Sequence, residues 1–308
     1  MKKQDETKDI RNTRSRTSSP CCGGGNAPFS LDPRGVDAVA LRPEQVRNSV
    51  RESYGRVAAG GQGCCGAGQK PHETGRSLGY SDEEMNAVPE GANLGLGCGN
   101  PTAIASIREG ETVVDLGSGA GFDCFLASPL VGRTGRVIGV DMTPEMLDRA
   151  RENARKGGYH NVEFRLGEIE NLPMADNSAD IIISNCVINL SPDKERVFSE
   201  AFRVLRPGGR LMVSDIVLTR DLPGDIRNSI QAYIGCVAGA VLKDAYLGAM
   251  AQAGFRDVAV QKETSFPVEF FADDPIVQAM TEHTHLTKEK AESLAGSVVS
   301  ISVLAMKP

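Results

Sequence analysis

The 308-residue chain has no apolar run approaching the length of a membrane span. Its polar, charged N-terminus also lacks the apolar stretch of a secretory leader. Both absences lead to the expectation of a cytoplasmic protein with no membrane partner. A basic excess is missing too: 34 Lys and Arg stand against 40 Asp and Glu, a net charge of −6. General nucleic-acid binding needs a basic footprint, so no nucleic-acid partner is expected. No Cys-x-x-Cys knuckle occurs and no histidine stands at ligand spacing from a cysteine, which argues against structural zinc. The His283-x-His285 pair reads as polar surface rather than metal ligand. No tightly bound metal cofactor is expected, and no internal repeat is visible.

What the chain does have is eight cysteines: Cys21, Cys22, Cys64, Cys65, Cys98, Cys124, Cys186 and Cys236. An even number suggests disulfides in small secreted domains, and this chain is neither small nor visibly secreted. Reactive thiols or soft-ion ligands remain. Cys124 reads as a small buried hydrophobe. Cys21-Cys22 reads as an incidental pair in a flexible tail.

The chain divides by pattern into three parts. Residues 1–40 mix charge, Ser, Gly and Pro without hydrophobic periodicity and are expected to be disordered. Residues 41–100 form an N-terminal extension. In it Pro43 opens an amphipathic helix to about Tyr54, with Val46, Val50 and Tyr54 on one face. Gly60-Gly61-Gln62-Gly63 breaks that helix before Cys64-Cys65, and Ser81 with Glu84 makes a capping box. In Gly97-Cys98-Gly99-Asn100-Pro101, Asn100 is a natural N-cap, with Pro101 at the first helical position.

Residues 101–308 alternate strand and helix. Strand-like runs are 112–116, 136–140, 162–166, 180–184 and 210–216, and helical runs between them are about 122–130, 144–156 and 193–205. Apolar strands joined by helices predict a parallel sheet covered on both faces. Arg206-Pro207-Gly208-Gly209 predicts a turn. Helices near 225–237 and 243–253 follow, then strands near 257–263 and 297–305. The expected division is a core at 111–217, an insertion at about 218–253 and terminal strands at about 254–308.

Val113-Val114-Asp115-Leu116-Gly117-Ser118-Gly119-Ala120-Gly121-Phe122 reads as a buried strand, a tight glycine turn and the start of a helix. Such a turn lets backbone approach a ligand, and the helix N-terminus offers free N–H groups. Nicotinamide, flavin and sulfonium cofactors all use one. Asp141, ending the next strand, can accept hydrogen bonds from ribose hydroxyls, which fits NAD and S-adenosylmethionine alike. The glycine spacing separates them: dinucleotide sites want Gly-x-Gly-x-x-Gly, and position 122 is Phe.

Asp115 to Gly121 resembles the first motif of class I methyltransferases, and Gly139-Val140-Asp141 resembles the second. Gly167-Glu168-Ile169-Glu170-Asn171-Leu172-Pro173 is similar to their adenine-side segment, and Arg206 to Gly209 to the turn before their fifth strand. The resemblance implies a doubly wound, Rossmann-like α/β fold with S-adenosylmethionine as methyl donor. It places Gly117, Ser118, Gly119 and Gly121 against methionine and ribose, and Asp115 near the amino group. Asp141 takes the ribose diol, Met142, Glu168 and Ile169 lie at the adenine, and Asn185 lies near the methyl.

Cys98, the segment Ser184-Asn185-Cys186-Val187-Ile188-Asn189-Leu190, and Cys236 further resemble arsenite methyltransferases of the microbial type. That likeness covers about residues 43–308 and includes Arg51 to Gly55. It implies Cys186 and Cys236 as main ligands of trivalent arsenic, Cys98 as a third thiol, and one of Cys64 and Cys65 as a redox thiol. The implied partners are arsenite or its glutathione conjugate, with thioredoxin or glutathione as reductant, and the chain is expected to be a monomer. Little chain follows the final strand, so no further C-terminal module is expected. A carbon methyltransferase for a quinone precursor or sterol, and a soft-metal sensor with an idle cofactor loop, are the alternatives.

Overall fold

The computed structural model describes residues 42–60, 71–103, 105–221, 239–265 and 296–308. Cys21, Cys22, Cys64, Cys65, Cys236, the 225–237 helix and the His283-x-His285 pair lie outside the described residues. The described residues fall in the unit Ala40–Pro308.

Seven strands form one sheet: β1 Thr112–Leu116, β2 Arg136–Asp141, β3 Val162–Leu166, β4 Ala179–Asn185, β5 Leu205–Leu218, β6 Arg256–Ser265 and β7 Val298–Met306. Their order is β3-β2-β1-β4-β5-β7-β6. The first five pair in parallel, and β7 is inserted antiparallel between β5 and β6. The chain winds outward from β1 in one direction and from β4 in the other. Ligands of open α/β sheets bind outside the strand carboxyl ends at such a switch. There stand Leu116-Gly117 on one side and Asn185-Cys186 on the other.

The central strands β1, β2 and β4 are largely apolar and buried because both faces of the sheet are covered there, whereas the outer strands β3 and β6 are more polar and exposed. Val113, Val137, Ile181 and Ile183 pack on one face with Phe125 and Leu147, from α4 (Phe122–Val131) and α5 (Pro144–Gly157). Val114, Leu116, Ile138 and Ile182 pack on the other with Phe198 and Tyr246, from α6 (Lys194–Val204) and Tyr246's helix, Lys243–Gln252. Adjacent residues part to opposite faces, as the two-residue period of a strand requires.

Two sequence expectations are corrected. Asn100 caps, but only a single turn: its Oδ1 accepts from the Ala103 N–H and the Thr102 hydroxyl, and the Ala105 N–H reaches back to Pro101 O. Ser106 then takes the left-handed conformation at φ 48°, which ends any helix. The Arg206 to Gly209 turn lies inside β5 as an irregularity, where the β4 pairing jumps from Leu205 to Arg210. Gly208 adopts φ +76°, and β7 still holds the segment through Gly208 N–H to Lys307 O and Lys307 N–H to Gly209 O.

The extension contributes α1 (Pro43–Ala58), α2 (Pro71–Leu78) and α3 (Asp82–Ala87); the helix Lys243–Gln252 is α7. Val46 and Val50 of α1 are buried as expected, and Tyr54 is half-buried. The Ser81–Glu84 capping box forms. Among the described residues no helix is long and apolar enough to cross a membrane.

Candidate active site

The loop after β1 turns through Gly117, Gly119 and Gly121, all at positive φ (67°, 51° and 94°). Their reasons for being glycine differ. A Cβ on Gly117 would lie 2.4 Å from Val187 Cγ2, and one on Gly121 would lie 2.8 Å from both Phe125 and Phe164. Those two are required by packing as well as by conformation. A Cβ on Gly119 would meet nothing among the described residues nearer than Met146 Sδ at 4.0 Å. Gly119 therefore borders open space. Beside it Ser118 Oγ is buried without a hydrogen-bond partner among the described residues. A buried orphan hydroxyl next to an open glycine suits a polar ligand edge at this loop.

Asp141, half-buried at the end of β2, accepts from the Gly119 N–H at Oδ2 (2.9 Å) and from the Thr143 N–H at Oδ1 (2.8 Å). Each oxygen keeps lone-pair capacity. Burial raises its pKa, against the backbone bonds that favour the anion. Asp115 is buried, and burial first and the Asp123 charge second push its pKa well up. Its Oδ2 accepts the Cys124 S–H at 3.2 Å. Cys124 is fully buried in the core, and burial raises its thiol pKa. Met142 is half-buried, whereas the Ile169 side chain joins the core.

Glu168 and Glu170 meet α1. Arg51 Nη2 lies 3.4 Å and Arg47 Nε 3.6 Å from Glu168, and Arg47 Nη2 lies 3.2 Å from Glu170 Oε1. Ser191 Oγ also donates to Glu170 at 2.7 Å. The extension thus fastens to the segment following β3.

Across the switch, β4 ends at Asn185 and the chain turns at Cys186, whose φ is +60°. A non-glycine residue there costs on the order of 1–2 kcal/mol and marks a conformation held by its surroundings. The Cys186 N–H donates to Ser214 O. Cys98 and Cys186, 88 residues apart, are joined as a disulfide with Cα atoms 5.4 Å apart. Val187, the next residue, packs on Gly117, so this pair stands beside the glycine loop. Among the described residues no group of three or more His, Cys, Asp or Glu is arranged as metal ligands.

Asn185 does not stand free at the strand end. Its Oδ1 accepts the Cys98 N–H at 2.9 Å, and its Nδ2 lies 2.9 Å from Gly99 O, 2.9 Å from Tyr80 Oη and 3.1 Å from Asp123 Oδ2. Tyr80 donates its hydroxyl to Asp123 Oδ1 at 2.7 Å. Burial pushes Asp123 up to about 6, against the opposing bonds from Tyr80 and Asn185. Burial, then the Asp123 charge, raises Tyr80 well above the usual phenol range.

Sequence reasoning missed Tyr80, Asp123, Arg47 and Ser300, whose Oγ donates to the Cys98 carbonyl; Arg51 stood only within a resembling segment, without this role. Asp123, two residues past Gly121 and on an otherwise apolar helix start, was the one detectable signal. The others lie in unremarkable polar contexts and join the site only through long-range folding.

Residues 107–254 match the family of methyltransferase domains. The arsenite methyltransferase of Halobacterium salinarum is 48% identical over 258 residues, covering 79% of this chain and 66% of that protein. The human arsenite methyltransferase is 36% identical, covering 66% and 56%. This chain spans about three fifths of the length of these curated relatives. Among solved structures, the arsenic(III) S-adenosylmethionine methyltransferase CrArsM of Chlamydomonas reinhardtii is similar at TM-score 0.57 and 35% identity, over 76% of this chain and 73% of that one. With this likeness extending over both the sheet and most of the relative's length, the chain belongs to the arsenite methyltransferase family.

Proposed function

We propose that this chain methylates trivalent arsenic, held by cysteine thiolates, with S-adenosylmethionine as methyl donor. The observation that carries the reading is the meeting of Cys98 and Cys186 at the strand switch, directly beside the glycine loop. When bound, S-adenosylmethionine supplies a methyl group on a positively charged sulfur. Gly117 to Gly121 would line its methionine and ribose, with the Gly119 edge and the Ser118 hydroxyl open to it. Asp141 would accept the ribose hydroxyls, and Glu168 and Ile169 would border the adenine with Met142 packed on it. Asp115 stands deeper, at the amino end.

Trivalent arsenic is soft and thiophilic, so thiolates bind it where oxygen ligands compete poorly. Reduced Cys98 and Cys186 would supply two sulfurs, and Cys236 is proposed as the third. Three sulfurs leave the arsenic lone pair as nucleophile, and no general base is required because the attacking atom carries no proton. The protein's contribution is placement, which can lower a barrier by roughly 7 to 11 kcal/mol. Methylation takes arsenic from the trivalent to the pentavalent state. Two electrons from a cysteine pair, leaving as a disulfide, would return it to trivalent. A joined Cys98–Cys186 pair would be the oxidised product of such a step. Thioredoxin or glutathione would restore the thiols, with Cys64 or Cys65 as relay, and the glutathione conjugate of arsenite is a further form of the substrate.

The test is transfer of a labelled methyl group to arsenite in the presence of a thiol reductant. Cys186→Ser and Cys236→Ser are each expected to lower the rate at least about 100-fold, the scale of a lost positioning group. Wild-type rates in both variants would remove the ligand assignment.

A further inference from the structure

We propose that Asn185, oriented by Asp123 and Tyr80, is the positioning residue that holds the Cys98 turn against Cys186. The effective concentration of the two thiols for one another is set by this amide clamp. The proposal rests on the arsenic-thiolate reading only for its place in the reaction; the geometry stands independently of it.

Cys98 has little local structure of its own to hold it. It belongs to no helix or strand, and its turn is rich in glycine, so its own backbone does little to hold it. Its peptide groups are instead gripped from outside. The Cys98 N–H goes to Asn185 Oδ1, the Cys98 carbonyl accepts from Ser300 Oγ at 2.7 Å, and the Gly99 carbonyl accepts from Asn185 Nδ2. One side chain therefore binds a donor and an acceptor of consecutive residues, which fixes orientation as well as distance. Because Asn185 immediately precedes Cys186, the clamp and its second thiol share one strand end. Glycine also suits the close approach: a Cβ on Gly97 would come 3.0 Å from Asn185 Nδ2, and one on Gly99 would come 2.9 Å from Ser214.

The amide itself is oriented. Both Nδ2 hydrogens are committed among Gly99 O, Tyr80 Oη and Asp123 Oδ2, so flipping the amide would set its oxygen against a carboxylate and a carbonyl. Tyr80, itself buried, donates to Asp123 and fixes that carboxylate in turn. These commitments leave Asn185 no N–H for a cofactor, which separates its role from that of the loop residues across the cleft.

The experiment is the equilibrium of the Cys98–Cys186 disulfide with a glutathione redox buffer, in the full chain, read by peptide mass mapping without arsenic or S-adenosylmethionine. Asn185→Ala is expected to lower the disulfide equilibrium constant at least tenfold, ~30 mV in midpoint potential. Tyr80→Phe, which removes one hydroxyl and keeps the ring, is expected to lower it about threefold. Tyr246→Phe is the matched control, since Tyr246 donates to buried Asp215 in a second Tyr–Asp pair elsewhere. It should leave the constant unchanged. A wild-type constant in Asn185→Ala overturns the proposal, as does an equal shift in the control. If Asn185→Ala does not fold, Tyr80→Phe decides alone, and an unchanged constant there overturns the clamp. Clamp-dependent potentials in a wild-type chain that fails to methylate arsenite would refute the functional reading and leave the clamp standing.

Discussion

At the scale of single residues, Asp215 is a heavily loaded buried carboxylate outside the site. It is fully buried on β5, and its carboxylate accepts from Asn189 Nδ2 (2.8 Å), the Ile216 N–H (2.9 Å) and Tyr246 Oη (3.0 Å). Three donors favour the anion, yet burial outweighs them and pushes the pKa up to about 6. The sign follows from linkage. The folded state holds this proton more tightly than the unfolded chain, so the group's contribution to stability is present at acid pH and is lost as pH rises from about 4 through 6. A shift of that size is on the order of 3 kcal/mol. Urea unfolding of wild type and Asp215→Asn across pH 4 to 7.5 should therefore show the variant gaining on wild type as pH rises. A stability difference that stays flat, or runs the other way, would show that the three donors win.

At the scale of elements, α1 shows what a sequence pattern reveals and what it hides. Pro43, Val46 and Val50 announce a helix and its buried face, because apolar spacing is a local signal. The opposite commitment of the same helix, Arg47 and Arg51 toward Glu168 and Glu170, spans more than a hundred residues and leaves no local trace. The same division runs through the chain. All five parallel strands were legible from apolar runs and turn residues. The short course after Asn100 was not, because a good N-cap and N1 proline signal a start and say nothing about how far the helix continues. Of the candidate site, the glycine loop was legible by spacing; the proximity of Cys98 to Cys186 came only through family resemblance. The α1 pairs carry a prediction. The Arg51–Glu168 pair, partly exposed on both sides, should contribute no more than about 1 kcal/mol to stability. If it holds Glu168 where an adenine amino group would meet it, Arg51→Ala should weaken S-adenosylmethionine binding about three- to tenfold in calorimetry, with the urea midpoint nearly unchanged. Undiminished affinity would make α1 a structural brace alone.

At the scale of the whole molecule, the Cys98–Cys186 bond ties the end of the extension to the end of β4 and encloses β1 to β4, α4 and α5. Its energetic consequence lies mainly in the unfolded chain. Closing a loop of 88 residues removes denatured-state entropy worth up to about 4.5 kcal/mol. The folded state should lose less on reduction, because the hydrogen bonds of Asn185 and Ser300 to the Cys98 turn do not involve the sulfurs. Reduction should therefore lower global stability with little change in the native fold. The check is urea unfolding of the full chain with and without reductant, beside Cys98→Ser. Wild type is expected to lose about 3 to 4.5 kcal/mol on reduction, while Cys98→Ser responds little to reductant and matches reduced wild type. Should Cys98→Ser lose as much as wild type on reduction, the stabilising cross-link would have to lie among the other cysteines. Unchanged circular dichroism and amide-exchange protection in the sheet after reduction would show that the fold around the site does not depend on the covalent bond.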